Sequence, residues 1–387
     1  MIRPWLPALA FVVLAPAAAF AGPTAPAAPA APAAAAAPAP CTQATRACTE
    51  WVTLGGGPAR SLVYRTFSLD ARNAAITRVL VMVHGAGRDA DNYFRSAVAA
   101  GFLAGALENT LVIAPRLASN DALRCRDSLD ANEVSWNCNS WRSGGAALND
   151  TAVTSFDFLD EILRKVARRE VFPNLKAIVV AGHSAGGQVV NRYEMTNQVH
   201  DGLGVPVTYV VANPSSYAYP SAERPTEAAW TLTANPPGYI PEVPANMPAF
   251  RSLGSGRGCT TYDQWPYGLE DRTGYSAKQS DSQLRRQLAS RPTTYLVGEL
   301  DILPLAGFDS SCPAMAQGPT RQARGQAFGK YVNEKLGAHH AVVIVPLCGH
   351  NARCMFTAEV ALPLLFPEVA PRAGKTAAAS AGGSAVP

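Results

Sequence analysis

Charge is scarce in this chain. Acidic and basic side chains make up only 16% of its 387 residues, and the formal balance is +4. A nucleic-acid surface needs a clustered basic excess, so this weak balance makes no case for a nucleic-acid partner. Histidine is also sparse, at six, few enough that the position of each can be weighed. No internal repeat or second linker is present, which favours a single domain. No Cys-x-x-Cys pair occurs, and regular structural zinc sites favour such spacing. Beyond the N-terminal stretch, no apolar run is long enough to span a bilayer.

What is present begins with Met1-Ile2-Arg3, an apolar run through Phe20 and the small-residue site Ala19-Phe20-Ala21. A basic start, an apolar stretch interrupted by Pro7 and Pro16 and an A-x-A end predict a secretory signal peptide cleaved after Ala21, not a membrane anchor. Cys41 stands too far behind that run to be a lipid-modified cysteine. The mature protein is therefore expected in the periplasm or outside the cell. Residues 22–40, almost all Ala and Pro, read as a semi-stiff tether, and the tail 371–387 as disordered. Residues 41–370 suffice for a single large domain, expected as a monomer.

Eight cysteines in an exported chain predict four disulfides. Proximity suggests Cys41 with Cys48, Cys125 with Cys138, Cys259 with Cys312 and Cys348 with Cys354. The last pair would close a loop around His350. A zinc site of Cys348, His350 and Cys354 is the rival use of these residues, disfavoured because structural zinc takes four ligands.

The apolar patterning alternates between strand and helix, as in an α/β fold. An antiparallel hairpin is expected at 51–54 and 61–67, with further strands at 78–83, 111–114, 207–211, 293–298 and 341–346. Helices are expected at 92–107, with Phe94, Val98 and Phe102 on one face, at 158–169 and at 324–336, the last ending at Gly337. The organising stretch is 177–190, A-I-V-V-A-G-H-S-A-G-G-Q-V-V. A β-branched run ends at Gly182 and a helix-compatible segment starts after Gly187. Gly182-His183-Ser184-Ala185-Gly186 matches the G-x-S-x-G elbow, in which small neighbours let a strained serine stand at the tip of a strand-to-helix turn.

Partners for Ser184 can be sought along the chain. His84-Gly85-Ala86-Gly87 follows a buried strand, and a backbone N–H near Ala86 could join that of Ala185 to receive an oxyanion; an ordinary Gly-rich turn is the bland alternative. Gly298-x-x-Asp301-x-x-Pro304 puts an acid just past a late strand, with Asp301 preferred to Glu299. Cys348-Gly349-His350-Asn351 follows the last strand and supplies the base. His84 and His183 lie in the two turns, while His200, His339 and His340 read as surface residues at helix ends. The aromatic-rich loop 128–145, with Trp136, Trp141 and Arg142, either lines a groove or packs on itself. Residues 213–291 carry Trp230, Tyr239, Tyr262, Trp265 and Tyr267, too many aromatics for a disordered stretch, so they read as an ordered insertion serving as lid or wall. Trp265, Trp141 and Tyr217 are the candidates for substrate contact, with packing as the alternative role.

The order Ser184, Asp301, His350 places nucleophile, acid and base as one triad arrangement does. From 78 to 351 the chain resembles the serine hydrolases of the α/β-hydrolase superfamily. That resemblance implies a mostly parallel sheet flanked by helices, with no metal or organic cofactor. The exported, cysteine-bearing chain with its G-H-S-A-G-G elbow, aromatic insertion and C-G-H loop is also similar to the oxidised polyvinyl alcohol hydrolases. This second resemblance implies cleavage of β-diketone groups in an oxidised carbon-chain polymer. A secreted carboxylesterase or polyester depolymerase of the polyhydroxyalkanoate type is the alternative, and a hydrolase-like binding protein without turnover is the remote one.

Overall fold

A strand that is apolar on both faces must be covered on both, and Arg78–Val83 is such a strand. Val79, Val81 and Val83 enter one core, while Leu80 and Met82 enter the other, all at 1% exposure or less. The computed structural model describes residues 38–231, 242–254, 258–305 and 307–368. The expected signal peptide, all but the end of the 22–40 tether, Tyr239 and the 371–387 tail lie outside these residues. In chain order the strands are β1 (Thr49–Thr53), β2 (Arg60–Arg65), β3 (Arg78–Val83), β4 (Thr110–Pro115), β5 (Ala177–His183), β6 (Val207–Ala212), β7 (Glu223–Pro225), β8 (Phe250–Ser252), β9 (Thr293–Gly298) and β10 (Ala341–Val345). Eight of them form one sheet in the order β1-β2-β4-β3-β5-β6-β9-β10, while β7 and β8 pair separately. The β1-β2 hairpin is antiparallel and joins β4 antiparallel; every pairing from β4 to β10 is parallel.

The helices are α1 (Ala90–Leu103), α2 (Ser155–Val166), α3 (Ala185–Thr196), α4 (Asp281–Ser290), α5 (Cys312–Met315), α6 (Arg321–Leu336), α7 (Ala352–Thr357) and α8 (Leu362–Leu365). Apolar side chains of α2, α3, α4 and α6 cover one face of the sheet, and those of α1, α7 and α8 cover the other. The α2 stripe Leu159, Ile162, Leu163 and Val166 is fully inward. This helix starts three residues before the predicted 158 because Thr154 and Asp157 form a reciprocal capping box ahead of the apolar stripe. Gly337 ends α6 in the left-handed conformation, at φ 68°.

Helix α1 departs from expectation. It ends at Leu103 instead of 107, and Phe102 is 75% exposed although Phe94 is buried. Residues four apart advance by roughly 40° around a helix of 3.6 residues per turn, so an i, i+4, i+8 series drifts off the inward stripe by its third member. The sulfurs pair as Cys41–Cys48, Cys125–Cys138, Cys259–Cys312 and Cys348–Cys354, across Cα separations of 5.5 to 5.8 Å. Cys348 and Cys354, weighed above as zinc ligands, thus have their sulfurs bonded to each other. Among the described residues, no helix is long and apolar enough to cross a membrane.

The described residues of 213–291 pack closely onto the domain. Tyr217 and Tyr219 pack on Phe328 of α6, with ring centroids 4.6 and 4.9 Å away. Tyr275 donates to Asp160 on α2 at 2.9 Å, and the Cys259–Cys312 bond ties the segment to α5. Beneath it, on α3, lies Glu194, fully buried between Asn191 and Tyr295, with burial pushing its carboxyl up to about 8 from an ordinary 4.5. A raised acid pKa means that the folded chain holds the proton more tightly than the unfolded one. This contribution to stability is fully present below about 4.5 and is lost as pH rises through about 8. Glu194→Gln is therefore expected to flatten the fall in melting temperature between pH 5 and 9, measured by thermal denaturation across that range. An unchanged slope would show that other groups control it.

Candidate active site

The turn after β5 is built for close approach. A Cβ on Gly182 would collide with the Gly186 carbonyl, and one on Gly186 would collide with the carbonyls of Val83 at the end of β3 and of His84 just after it. Only glycine permits this contact, and Ser184 between them takes a strained φ of 59° and ψ of −120°. Its backbone N–H donates to Ala212 O at 3.0 Å, fixing the turn to β6. The helix N-terminus that follows leaves the Ala185 N–H without a hydrogen-bond partner among the described residues.

Three parallel strands end beside this turn. Ser184 Oγ lies 2.9 Å from His350 Nε2, and His350 Nδ1 lies 2.8 Å from Asp301 Oδ2. Asp301 is 2% exposed, and its other oxygen faces the buried Arg321 guanidinium on α6 at 3.4 Å. Arg321 is itself held by Ser215 Oγ at 2.8 Å and Leu305 O at 2.9 Å. Asn213 couples the acid and base loops from the end of β6: its Oδ1 accepts from Gly298 N–H at 2.8 Å and its Nδ2 donates to Gly349 O at 3.5 Å. Arg321 and Asn213 are buried polar residues with no motif around them, and sequence reading gave no reason to select them.

The loop after β3 is held equally firmly. His84 is fully buried, with Nε2 accepting from Leu117 N–H at 3.0 Å and Nδ1 facing Gly85 O at 2.9 Å. Accepting at Nε2 places the proton of the neutral ring on Nδ1, so that nitrogen donates to Gly85 O. Burial holds the ring neutral by lowering its pKa to about 4. Arg88 pairs with Asp127 at 2.6 and 3.0 Å and also donates to Ala86 O at 3.0 Å. The Ala86 N–H, like that of Ala185, has no partner among the described residues.

His183 sits beside the base, its ring centroid 4.6 Å from that of His350, with Nδ1 3.1 Å from the Tyr93 hydroxyl. Burial first, then the nearby His350 and Arg321, lower its pKa well below the ordinary value. Its burial thus favours the neutral ring. Tyr93, 7% exposed, has its phenol pKa raised by burial. These groups and Ser184 line an open cavity of about 560 Å³, with Asp89, Asn92, Arg95, Asn351 and Arg353 at its rim.

The expected aromatic contacts lie elsewhere. Trp141 is wholly buried, edge-on to His84 at 5.0 Å, and its Nε1 donates to Cys138 O. Trp136 stacks on Phe158. Tyr217 is wholly buried against Phe328 and Tyr295. Trp265 packs against the core and donates to Ser143 O at 3.1 Å. None of the three lines the cavity, nor does any other described residue of 213–291. Each of these rings is held by core packing, and Trp141 and Trp265 also donate to backbone carbonyls, which fixes their places more firmly than an open groove could. His340, read above as a surface residue, is 6% exposed and pairs with the Tyr295 hydroxyl at 2.9 Å.

Comparison with known proteins agrees with this architecture. No curated protein matches the chain in sequence. Among solved structures, poly(aspartic acid) hydrolase-1 from Sphingomonas sp. KT-1 is similar at 19% identity and TM-score 0.50, covering 82% of this chain and 98% of its own. LpqC, a poly(3-hydroxybutyrate) depolymerase from Bordetella parapertussis, is similar at 20% identity and TM-score 0.51, over 82% of this chain and 87% of its own. At these identities the likeness concerns the fold. The sequence profile of the "Alpha/beta hydrolase family" matches residues 80–361, a span that runs from β3 through the elbow, the Asp301 turn and the His350 loop, and the chain belongs to that family.

Proposed function

We propose that this protein is a serine hydrolase that attacks a carbonyl carbon through Ser184. The observation that carries this reading is the unbroken hydrogen-bonded line from Ser184 Oγ through His350 to Asp301, ending in a strained turn at the mouth of an open cavity. His350 takes the Oγ proton as the serine adds to the carbonyl, while Asp301 holds the ring in the tautomer with hydrogen on Nδ1 and stabilises the imidazolium. The free amides of Ala86 and Ala185 receive the developing oxyanion, and the His84 and Arg88 anchors keep the first from moving. His350 then gives its proton to the leaving group, and water releases the acyl enzyme. An export route, four disulfides and a polymer too large to cross a membrane fit one another.

Two carbonyl classes suit this machinery. In a β-diketone of an oxidised carbon-chain polymer, such as oxidised polyvinyl alcohol, the leaving group is an enolate carbon that His350 protonates. This reading draws on the elbow, insertion and C-G-H resemblance and on the openness of the cavity, which leaves a chain free to pass; the absent aromatic lining lends it nothing. In an ester, the reading of a secreted carboxylesterase or polyester depolymerase, the leaving group is an alkoxide. Polymers are the named substrates of two chains that share the fold. Incubation with a short β-diketone and, in parallel, with p-nitrophenyl butyrate separates the two. Serine-dependent loss of diketone absorbance well above the ester rate is expected; ester turnover without diketone loss assigns the esterase.

A further inference from the structure

The end of α1 leaves apolar side chains exposed. Phe102 and Leu103 are 75% and 57% exposed, and with Val98, Ala99 and Leu107 they line a groove of about 580 Å³. Arg95 of α1 and Arg353 of α7 line this groove and the Ser184 cavity alike, so the two hollows meet at a pair of guanidinium groups. The two arginines are not equivalent. Arg95 is engaged by Asp91 and by Asn92, each at 2.7 Å. Arg353 is exposed and has no acidic partner among the described residues. An uncovered apolar patch that runs into a reaction cavity through a free donor suits a ligand that is hydrocarbon along most of its length and carries oxygen acceptors.

We propose that the Val98, Phe102, Leu103 and Leu107 shelf is the subsite for the distal part of a long substrate chain. The chain's methylenes lie on Phe102 and Leu103, and its carbonyl or hydroxyl oxygens accept from Arg353. A substrate confined to the Ser184 cavity gains nothing from this shelf, so its contribution grows with chain length. The proposal rests on the reading of Ser184 as nucleophile and names the class of substrate, a long oxygen-bearing hydrocarbon chain.

The test compares p-nitrophenyl dodecanoate with p-nitrophenyl butyrate. Phe102→Ser combined with Leu103→Ser is expected to lower the ratio of kcat/KM, long over short, by about tenfold, the effect of uncovering part of two large apolar side chains. Both positions are largely exposed, so the fold should tolerate the change. Leu123→Ser, at a site 84% exposed and outside both hollows, serves as control and should leave the ratio as it is. In a separate arm, an oxidised polyvinyl alcohol oligomer is titrated by calorimetry into Ser184→Ala, where the shelf double variant and Arg353→Gln should each weaken binding several-fold. An unchanged chain-length ratio together with unchanged oligomer affinity would overturn the shelf. So would a dimer in solution that the double variant dissolves without altering the ratio, because a second copy would then be the occupant. Loss of both ester activities and of fluorophosphonate labelling in the wild type would instead overturn the Ser184 reading, and the oligomer titration would still decide the shelf.

Discussion

Ser184→Ala is expected to lower kcat by on the order of a million-fold while leaving the fold and melting temperature nearly unchanged. The size of the loss follows from the elbow. Oγ is the only atom removed, and it is the atom that must bond to the substrate carbon, so the remaining groups have no covalent route to assist. The fold should survive because the turn is set by Gly182, Gly186 and the Ser184 N–H bond to Ala212, none of which involves the side chain. Alanine accepts the strained φ of 59° no less readily than serine does. Turnover of p-nitrophenyl butyrate and of a short β-diketone, with circular dichroism as the check on folding, measures both halves. A variant that retained more than about a thousandth of the wild-type rate would remove Ser184 from the chemistry.

Asp301→Asn should cost about ten-thousand-fold in kcat, with little change in KM. An amide in place of the carboxylate can turn its NH₂ toward His350 Nδ1, which forces the ring into the tautomer whose Nε2 carries hydrogen and cannot take the Ser184 proton. The environment adds to the effect. Asp301 is nearly fully buried between His350 and Arg321, and the neutral replacement leaves the Arg321 guanidinium facing an uncharged amide in a dry site. Some loss of stability should therefore accompany the loss of rate. Arg321 does not touch Ser184 or His350 directly; in the proposed mechanism it positions Asp301. A drop in kcat of less than about a hundredfold would argue that His350 is oriented by other means, with Asn213 and the Cys348–Cys354 loop as the remaining supports.

The local signals in the chain were strong where a single residue type has no substitute. Gly182 and Gly186 are required by backbone contacts that any Cβ would prevent, so the elbow stood out as a pattern of glycines around a serine. Strands β3 and β9 coincide with the predicted runs 78–83 and 293–298, and each is buried at all but one position. The chain order of Ser184, Asp301 and His350 likewise follows from strand succession, which a sequence carries directly.

Tertiary structure decided the rest. Tryptophan and tyrosine look alike in a sequence whether they face a groove or a core, and Trp141, Tyr217 and Trp265 were placed by neighbours distant in the chain: His84, Phe328 and Ser143. The partners of Asp301, His350 and His183 are equally non-local. Arg321 reaches Asp301 from α6, Asn213 joins two loops from the end of β6, and Tyr93 reaches His183 across 90 positions. The exposure of Phe102 depended on where α1 ends and on which face α7 and α8 cover. By itself the sequence determined the strained turn, the alternating strands and helices and the order of the reactive groups, because these depend on neighbours in the chain. Which side chains line the cavity was fixed only when the parallel strands brought remote loops to one edge of the sheet, because burial and hydrogen bonding there are shared among residues with no sequence relation to one another.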